Sequence, residues 1–149
     1  MASTITASTL KVTLEENLVL NGKVQGNKNT FSVGTVNEAT QRIFTGPSAS
    51  EVTVVSFGTA VGAGTYVTDN IRYIRIKNLD DTNWVRVRLF ADLETDKIAD
   101  VLVQPGQFFM LGSPKISDTA VFSAFTNLTS IKMQSNAADV DVELLVVSA

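Results

Sequence analysis

Apolar and polar residues alternate with a period of two through much of this chain. In "LKVTLE", Leu10, Val12 and Leu14 alternate with Lys11, Thr13 and Glu15. Ile74 and Ile76, then Val85, Val87 and Leu89, alternate with Arg and Lys, and Val140, Val142 and Leu144 alternate with Asp139, Asp141 and Glu143. Successive side chains of a strand point to opposite faces, so each run reads as a strand with one buried face and one wet face. A helix would repeat its apolar residues every three or four positions instead. Further strands are expected at 31–36, 41–45, 52–57, 98–103, 107–111, 121–125 and 130–134. Asn21-Gly22, inside "LVLNGKV", supplies two residues that tolerate positive φ, as a tight hairpin turn demands. Short strands at this spacing predict an all-β chain, an antiparallel β-sandwich or jelly roll with short loops and little helix. "DLETDKIADVL" is the best helical candidate, with an acidic loop as the competing reading.

At 149 residues the chain suits one domain. The expected organisation is a flexible arm over residues 1–9 and a single sandwich over 10–149. The glycine-rich stretch 58–65 is a loop and the one candidate internal boundary, but the segments on either side are too small to bury separate cores. "LLVV", residues 144–147, is apolar on both faces and needs cover from a second sheet or a neighbouring subunit.

The composition excludes much chemistry. There is no cysteine and no histidine, so thiolate sites, disulfides, the commonest catalytic base and the commonest transition-metal ligand are all missing. The Asp80-Asp81 pair and the Asp92, Glu94, Asp96 group match neither the spacing of a calcium loop nor anything beyond turn chemistry. "NLT" at Asn127 fits a glycosylation acceptor without a secretory signal to support it. The reading is therefore no enzyme, no metal and no cofactor. A net charge of −3 argues against nucleic acid as a partner, and no apolar run approaches the length of a membrane span.

What remains is surface. "IRYIRIKNLDDTNWVRVRLF", residues 71–90, carries five of the twelve Lys and Arg residues. If residues 78–83 reverse the chain as a hairpin, Tyr73, Arg75 and Lys77 lie beside Trp84, Arg86 and Arg88 on one outer face. That face reads as a solvated wall with Arg stems over aromatic rings, or as a partner-facing patch, since Trp, Tyr and Arg are enriched at interface hot spots. Asp139, Asp141 and Glu143 form an acidic face that pairs with the basic one either within a sheet or between subunits. These nine residues are the candidate partner contacts.

"NLVLNGKVQG", "YIRIKNLDDTNWVRVRL", "LVQPGQFFML" and "VDVELLVV" together resemble small β-rich virion proteins of tailed bacteriophages, in which an NLDxTN turn and a PGxFF turn punctuate the strands. The resemblance runs from about Leu10 onward. It implies a structural protein of the particle, most simply a capsid decoration or cement protein, made in the host cytoplasm without a secretion signal and located in the virion. Its partners would be its own copies, as a homo-oligomer, and a major capsid protein or other virion protein. A tail or head-fibre component, or a carbohydrate-binding or receptor-binding module using Trp84 and Tyr73 as sugar platforms, is the alternative. "PGQFF" is expected to send one of Phe108 and Phe109 into the core and the other outward, and Pro105 and Pro114 to blunt strand edges.

Overall fold

The period-two runs do become strands, in a computed structural model that describes residues 4–90, 98–112 and 128–149. The first four are β1 (Ser8–Glu15), β2 (Val19–Leu20), β3 (Lys23–Val24) and β4 (Lys28–Val36). Asn21 and Gly22 take φ of 50° and 76°, the positive pair that a two-residue hairpin turn requires. β1 pairs antiparallel with β4 and β2 with β3, giving one ribbon with an elbow between its two ladders. The elbow is closed by Glu16 N–H to Asn27 O and Gln25 N–H to Leu18 O, each 2.8 Å. Gly26 lies there against the backbone carbonyl of Glu16, where a side chain would collide.

The remaining strands are β5 (Glu38–Gly46), β6 (Val52–Gly58), β7 (Thr65–Val67), β8 (Ile71–Asn78), β9 (Val85–Phe90), β10 (Ile98–Val103), β11 (Phe108–Leu111), β12 (Ser130–Ser135) and β13 (Val140–Ser148). A 3-10 turn at Thr68–Asn70 is the only helical element among the described residues. One sheet runs β10-β9-β12-β6-β7 and the other β11-β8-β13-β5. Apart from the short β7, parallel to β6, every pairing in the two sheets is antiparallel. With β7 set aside, every successive connection except β9 to β10 crosses from one sheet to the other, and the last strand lies beside the first. That winding is a jelly roll.

The core lies between the sheets. Ile74, Ile76, Val142, Leu144 and Val146 from one sheet meet Val55, Val85, Val87, Ile131 and Met133 from the other, all at most 1% exposed. Each such side chain contributes about 1.5–3 kcal/mol on burial, so the inward half of the alternation dominates the stability. Phe109 packs against this core while Phe108 stays outside it, at 49% exposure. Gly106, in the preceding turn, has φ 68°. The glycine-rich 58–65 stretch joins β6 to β7 within one sheet, so it divides no domains.

Four expectations are corrected. β8 and β9 do not form a hairpin; they lie in different sheets, and residues 78–83 are an arch between them. Asn78, fully buried, holds this arch: its Nδ2 donates to Asn83 O at 2.8 Å and Val103 O at 3.2 Å, and its Oδ1 accepts Asp80 N–H at 2.9 Å. Asp80 Oδ1 in turn accepts the N–H groups of Thr82 at 2.7 Å and Asn83 at 2.5 Å. Second, the sandwich begins at Glu38, because the ribbon of residues 8–36 hydrogen-bonds into neither sheet along its length. Third, the helical candidate at 92–102 gives way over 98–102 to β10, the strand also expected at 98–103, which pairs with β9. Fourth, Tyr73 is not wet; it is 4% exposed, with the Phe31 ring of the ribbon 6.5 Å away. The strand expected at 121–125, the Asp92, Glu94, Asp96 group, Pro114 and Asn127 fall outside the described residues.

The ribbon leaves the sandwich through a bulge. The β1–β4 register shifts between Ser8 and Leu10, and Thr35 opposite takes φ 54°, an uncomfortable conformation for a β-branched residue. Three residues of "LLVV" are covered within the chain itself: Leu144 and Val146 face the second sheet, and Val147, beside Tyr73, is 2% exposed on the other side, while Leu145 is half-buried.

Candidate functional site

The arch separates the basic residues into two sets on opposite outer faces. On the five-stranded sheet, β9 presents Arg86 and Arg88, with Asp100 of β10 opposite Arg88 on one side and Lys132 of β12 opposite it on the other. Arg88 Nε and Nη2 bond the two carboxylate oxygens of Asp100 at 2.8 and 2.9 Å, a bidentate pair. Those bonds hold the Asp100 carboxyl below its usual range and raise the Arg88 guanidinium above its own. Glu51 sits among three cations: Arg86 at 3.0 Å, Arg88 at 3.1 Å and Lys132 at 3.7 Å. Lys132 also lies 4.1 Å above the Phe90 ring. Among the described residues this face is mostly compensated from within: three cations meet two carboxylates, leaving one positive charge.

Trp84 lies just before β9, half-buried, at the rim of a notch of about 230 Å³ that Arg86, Gln134, Ser135 and Asn136 complete. Arg86 Nη2 donates to Gln134 Oε1 at 2.8 Å, and Gln134 Nε2 to Ser48 O at 2.9 Å.

On the four-stranded sheet, β13 lies between β8 and β5 and brings the acidic set next to the other basic set. Arg75 pairs with Glu143, whose second oxygen accepts Gln41 Nε2–H at 3.2 Å. Asp141 accepts the Thr45 hydroxyl at 2.8 Å, and Asp139 caps the Ser48 N–H at 2.9 Å. Glu143 is therefore an in-sheet partner of the basic set, while Asp139 and Asp141 tie down the β5 end. Tyr73 donates its hydroxyl to Met110 Sδ at 3.8 Å, and burial raises its phenol while Arg75 opposes the rise.

Sequence reasoning missed the ribbon. Every residue from 15 to 25 is exposed, and the tip carries Leu18, Val19, Leu20 and Val24 at 53, 67, 55 and 77% exposure. At the ribbon's base, a cleft of about 270 Å³ runs between it and the sheet. Val12 and Leu14 line it from the ribbon, Phe108 and Met110 from β11, and Tyr73, Arg75 and Lys77 from β8. Among the described residues no group of three or more acidic, His or Cys side chains is placed to hold a metal ion, and no helix is long and apolar enough to cross a membrane. The chain matches no protein-family model, no curated protein and no solved structure.

Proposed function

We propose that this protein is a structural component of a tailed-phage particle, a capsid decoration protein that binds the shell and its own copies. The observation that carries the reading is the distribution of its exposed apolar groups. Four large ones crowd the tip of a ribbon that belongs to neither sheet, on a rigid sandwich whose charged faces are largely compensated from within. Such a tip is destabilising in isolation and favourable when a partner covers it. The four turn-and-strand motifs that resemble virion proteins support the same reading, and the jelly-roll winding agrees with it by analogy, since capsid domains often share that winding. The test is to band the source particles on a density gradient, look for this chain by mass spectrometry, and sediment recombinant protein with particles stripped of it. Presence in the band and cosedimentation are expected; absence from both refutes the reading.

The Trp84 notch favours a second reading, carbohydrate binding. An aromatic face beside amide, hydroxyl and guanidinium groups is the chemistry that grips a sugar ring, and jelly rolls also serve as lectin domains. Trp84 is the only tryptophan, so its emission reports on this notch directly. A saturable emission change with an oligosaccharide, abolished by Gln134→Ala, supports it; flat titrations across a panel of glycans remove it.

A further inference from the structure

We propose that two copies of this chain join along the free edge of β5, antiparallel about a twofold axis at Ile43, so that the four-stranded sheet continues from one molecule into the other. The inference rests on the self-contact in the structural-component reading and names its place.

The two sheets end in four edge strands, and an open edge is a template for another strand. β7, β11 and β10 have three, four and six residues. β5 has nine, contains no proline and keeps one register with β13 from Glu38 to Gly46, without a bulge. Shortness, proline and bulges are devices that guard an edge, and β5 has none of them. Which of its backbone groups face outward follows from the ladder on the far side of β13. Leu79 N–H bonds Asp141 O, so Asp141 and Glu143 turn their backbone groups toward β8, while Val140, Val142, Leu144 and Val146 turn theirs toward β5. Their partners there are Gly46, Phe44, Arg42 and Thr40. The N–H and C=O groups of Ala39, Gln41, Ile43 and Thr45 therefore point away from the sheet, and all four residues are exposed, Ile43 at 63%.

The strand is its own complement. With the axis at Ile43, Ile43 of one copy meets Ile43 of the other and each Gln41 meets a Thr45, every pair hydrogen-bonded, with about six bonds in all. The most exposed large apolar side chain among the described residues of the two sheets is then covered at the centre. On the inward row Arg42 falls opposite Phe44, and no two charged residues oppose each other; an axis one residue earlier would set Arg42 against Arg42. An inward Arg can guard an edge, but this one is tied down: its Nη2 donates to Val54 O of the other sheet at 2.8 Å, and its guanidinium lies 5.1 Å from the Phe44 ring centroid. A foreign peptide added to this edge would draw its specificity from pockets for alternate side chains, and both the Trp84 notch and the ribbon-base cleft are lined by residues outside β5.

Full-length protein should dimerise in sedimentation equilibrium. Ile43→Lys sets like charges at the axis, and Ile43→Pro removes an N–H that faces away from β13. Both should keep the far-UV β spectrum and weaken the dimer roughly tenfold or more. With no native cysteine to interfere, cross-links read the register. Under mild oxidation Ile43→Cys alone should form a disulfide homodimer, and Gln41→Cys mixed with Thr45→Cys should give more mixed disulfide than either homodimer. A monomer at all concentrations, a dimer that both Ile43 variants leave intact, or a Gln41→Cys homodimer exceeding the mixed product overturns the pairing. So does a folded Ile43→Lys that loses only particle docking, since the edge then meets the shell. Particle incorporation is read separately: a chain present in particles but monomeric when purified ends this inference alone, and one that pairs through Ile43 but is absent from particles ends the structural-component reading alone.

Discussion

Replacing Asn78 with Ala should remove about a quarter or more of the stability of this fold. Asn78 is fully buried, and its side chain makes three hydrogen bonds, all to backbone groups: Asn83 O, Val103 O and Asp80 N–H. A hydrogen bond contributes about 1 kcal/mol net, while a buried group left without a partner costs about 1–3 kcal/mol. The Asn83 and Asp80 groups lie near the surface and rehydrate, so each loss stays near 1 kcal/mol; Val103 O is buried, so its loss comes nearer 2 kcal/mol. The total is about 4 kcal/mol, against about 5–15 kcal/mol for a whole domain. Urea unfolding followed by Trp84 emission measures it, because Trp84 immediately follows the arch. Asn78→Asp sharpens the test. It keeps the acceptor for Asp80 N–H but turns a carboxylate toward two carbonyl oxygens, so its deficit should exceed that of Ala at pH 7 and shrink on acidification as the acid gains a donor. A loss under about 1 kcal/mol for the Ala variant, with an unchanged denaturant slope, refutes the view that this side chain holds the arch.

Reversing Arg86 and Arg88 to Glu should destabilise the monomer, by about 2 kcal/mol or more, because two new carboxylates would join Glu51 and Asp100 on a half-buried face; urea midpoints measure it, and partial rescue by Glu51→Arg is expected. Thr35→Gly should raise the melting temperature by a few degrees, since it relieves a positive φ worth about 1 kcal/mol; a lower melting temperature contradicts the assigned backbone. Asp100 has a carboxyl held below its ordinary value of 3.8 in the fold, so its stabilising contribution is present above that value and is lost as pH falls through the lowered one. The stability difference between the parent and Asp100→Asn should be constant from about pH 5 to 8 and shrink as the pH falls below 3.8, as read by denaturant titration at each pH. Self-association should survive 0.5 M NaCl and strengthen in sulfate, which sedimentation tests; a tenfold loss in NaCl moves the interface to the charged faces.

Alternation showed which side chains share a face of a strand, and it placed Ile74, Ile76, Val85, Val87 and Leu144 in the core, where they are buried. It is a local property and says nothing of which strand comes next in space. Six residues between two alternating runs serve equally as a hairpin loop or as an arch between sheets, and only the burial of Asn78 decides for the arch. A signal was there in "NLDDTN": its first Asn and its third-position Asp both bond backbone groups of the loop, which suits a chain changing direction rather than reversing in place. The ribbon was harder to see, because Leu10, Val12 and Leu14 alternate as a core strand does yet are only half-buried. Its partner strand is the better indicator. "KNTFSVGTV" carries just Phe31, Val33 and Val36 among polar and small residues, too little apolar surface for a strand with a sheet across from it. The acidic set was partly legible: Glu143 does meet Arg75, but Asp139 and Asp141 anchor Ser48 and Thr45.

The split of the basic residues bears on where a partner can bind. A single face carrying Arg75, Lys77, Arg86 and Arg88 would project a field strong enough to steer an acidic partner. Divided between two outer faces, and met there by Glu143 on one side and by Glu51 and Asp100 on the other, most of these charges act over the few ångströms of their own ion pairs. Beyond about 8 Å at physiological ionic strength what survives is screened. Long-range attraction is thus a weak candidate for holding copies together, and short-range contact has to do it. Short-range apolar contact scales with area, at about 25 cal/mol per Å², and among the described residues the exposed apolar groups are most densely placed at 18–24. Lys77 is the exception: among the described residues no ion pair compensates it, and it lies at a cleft that has apolar walls from both the ribbon and the sheet.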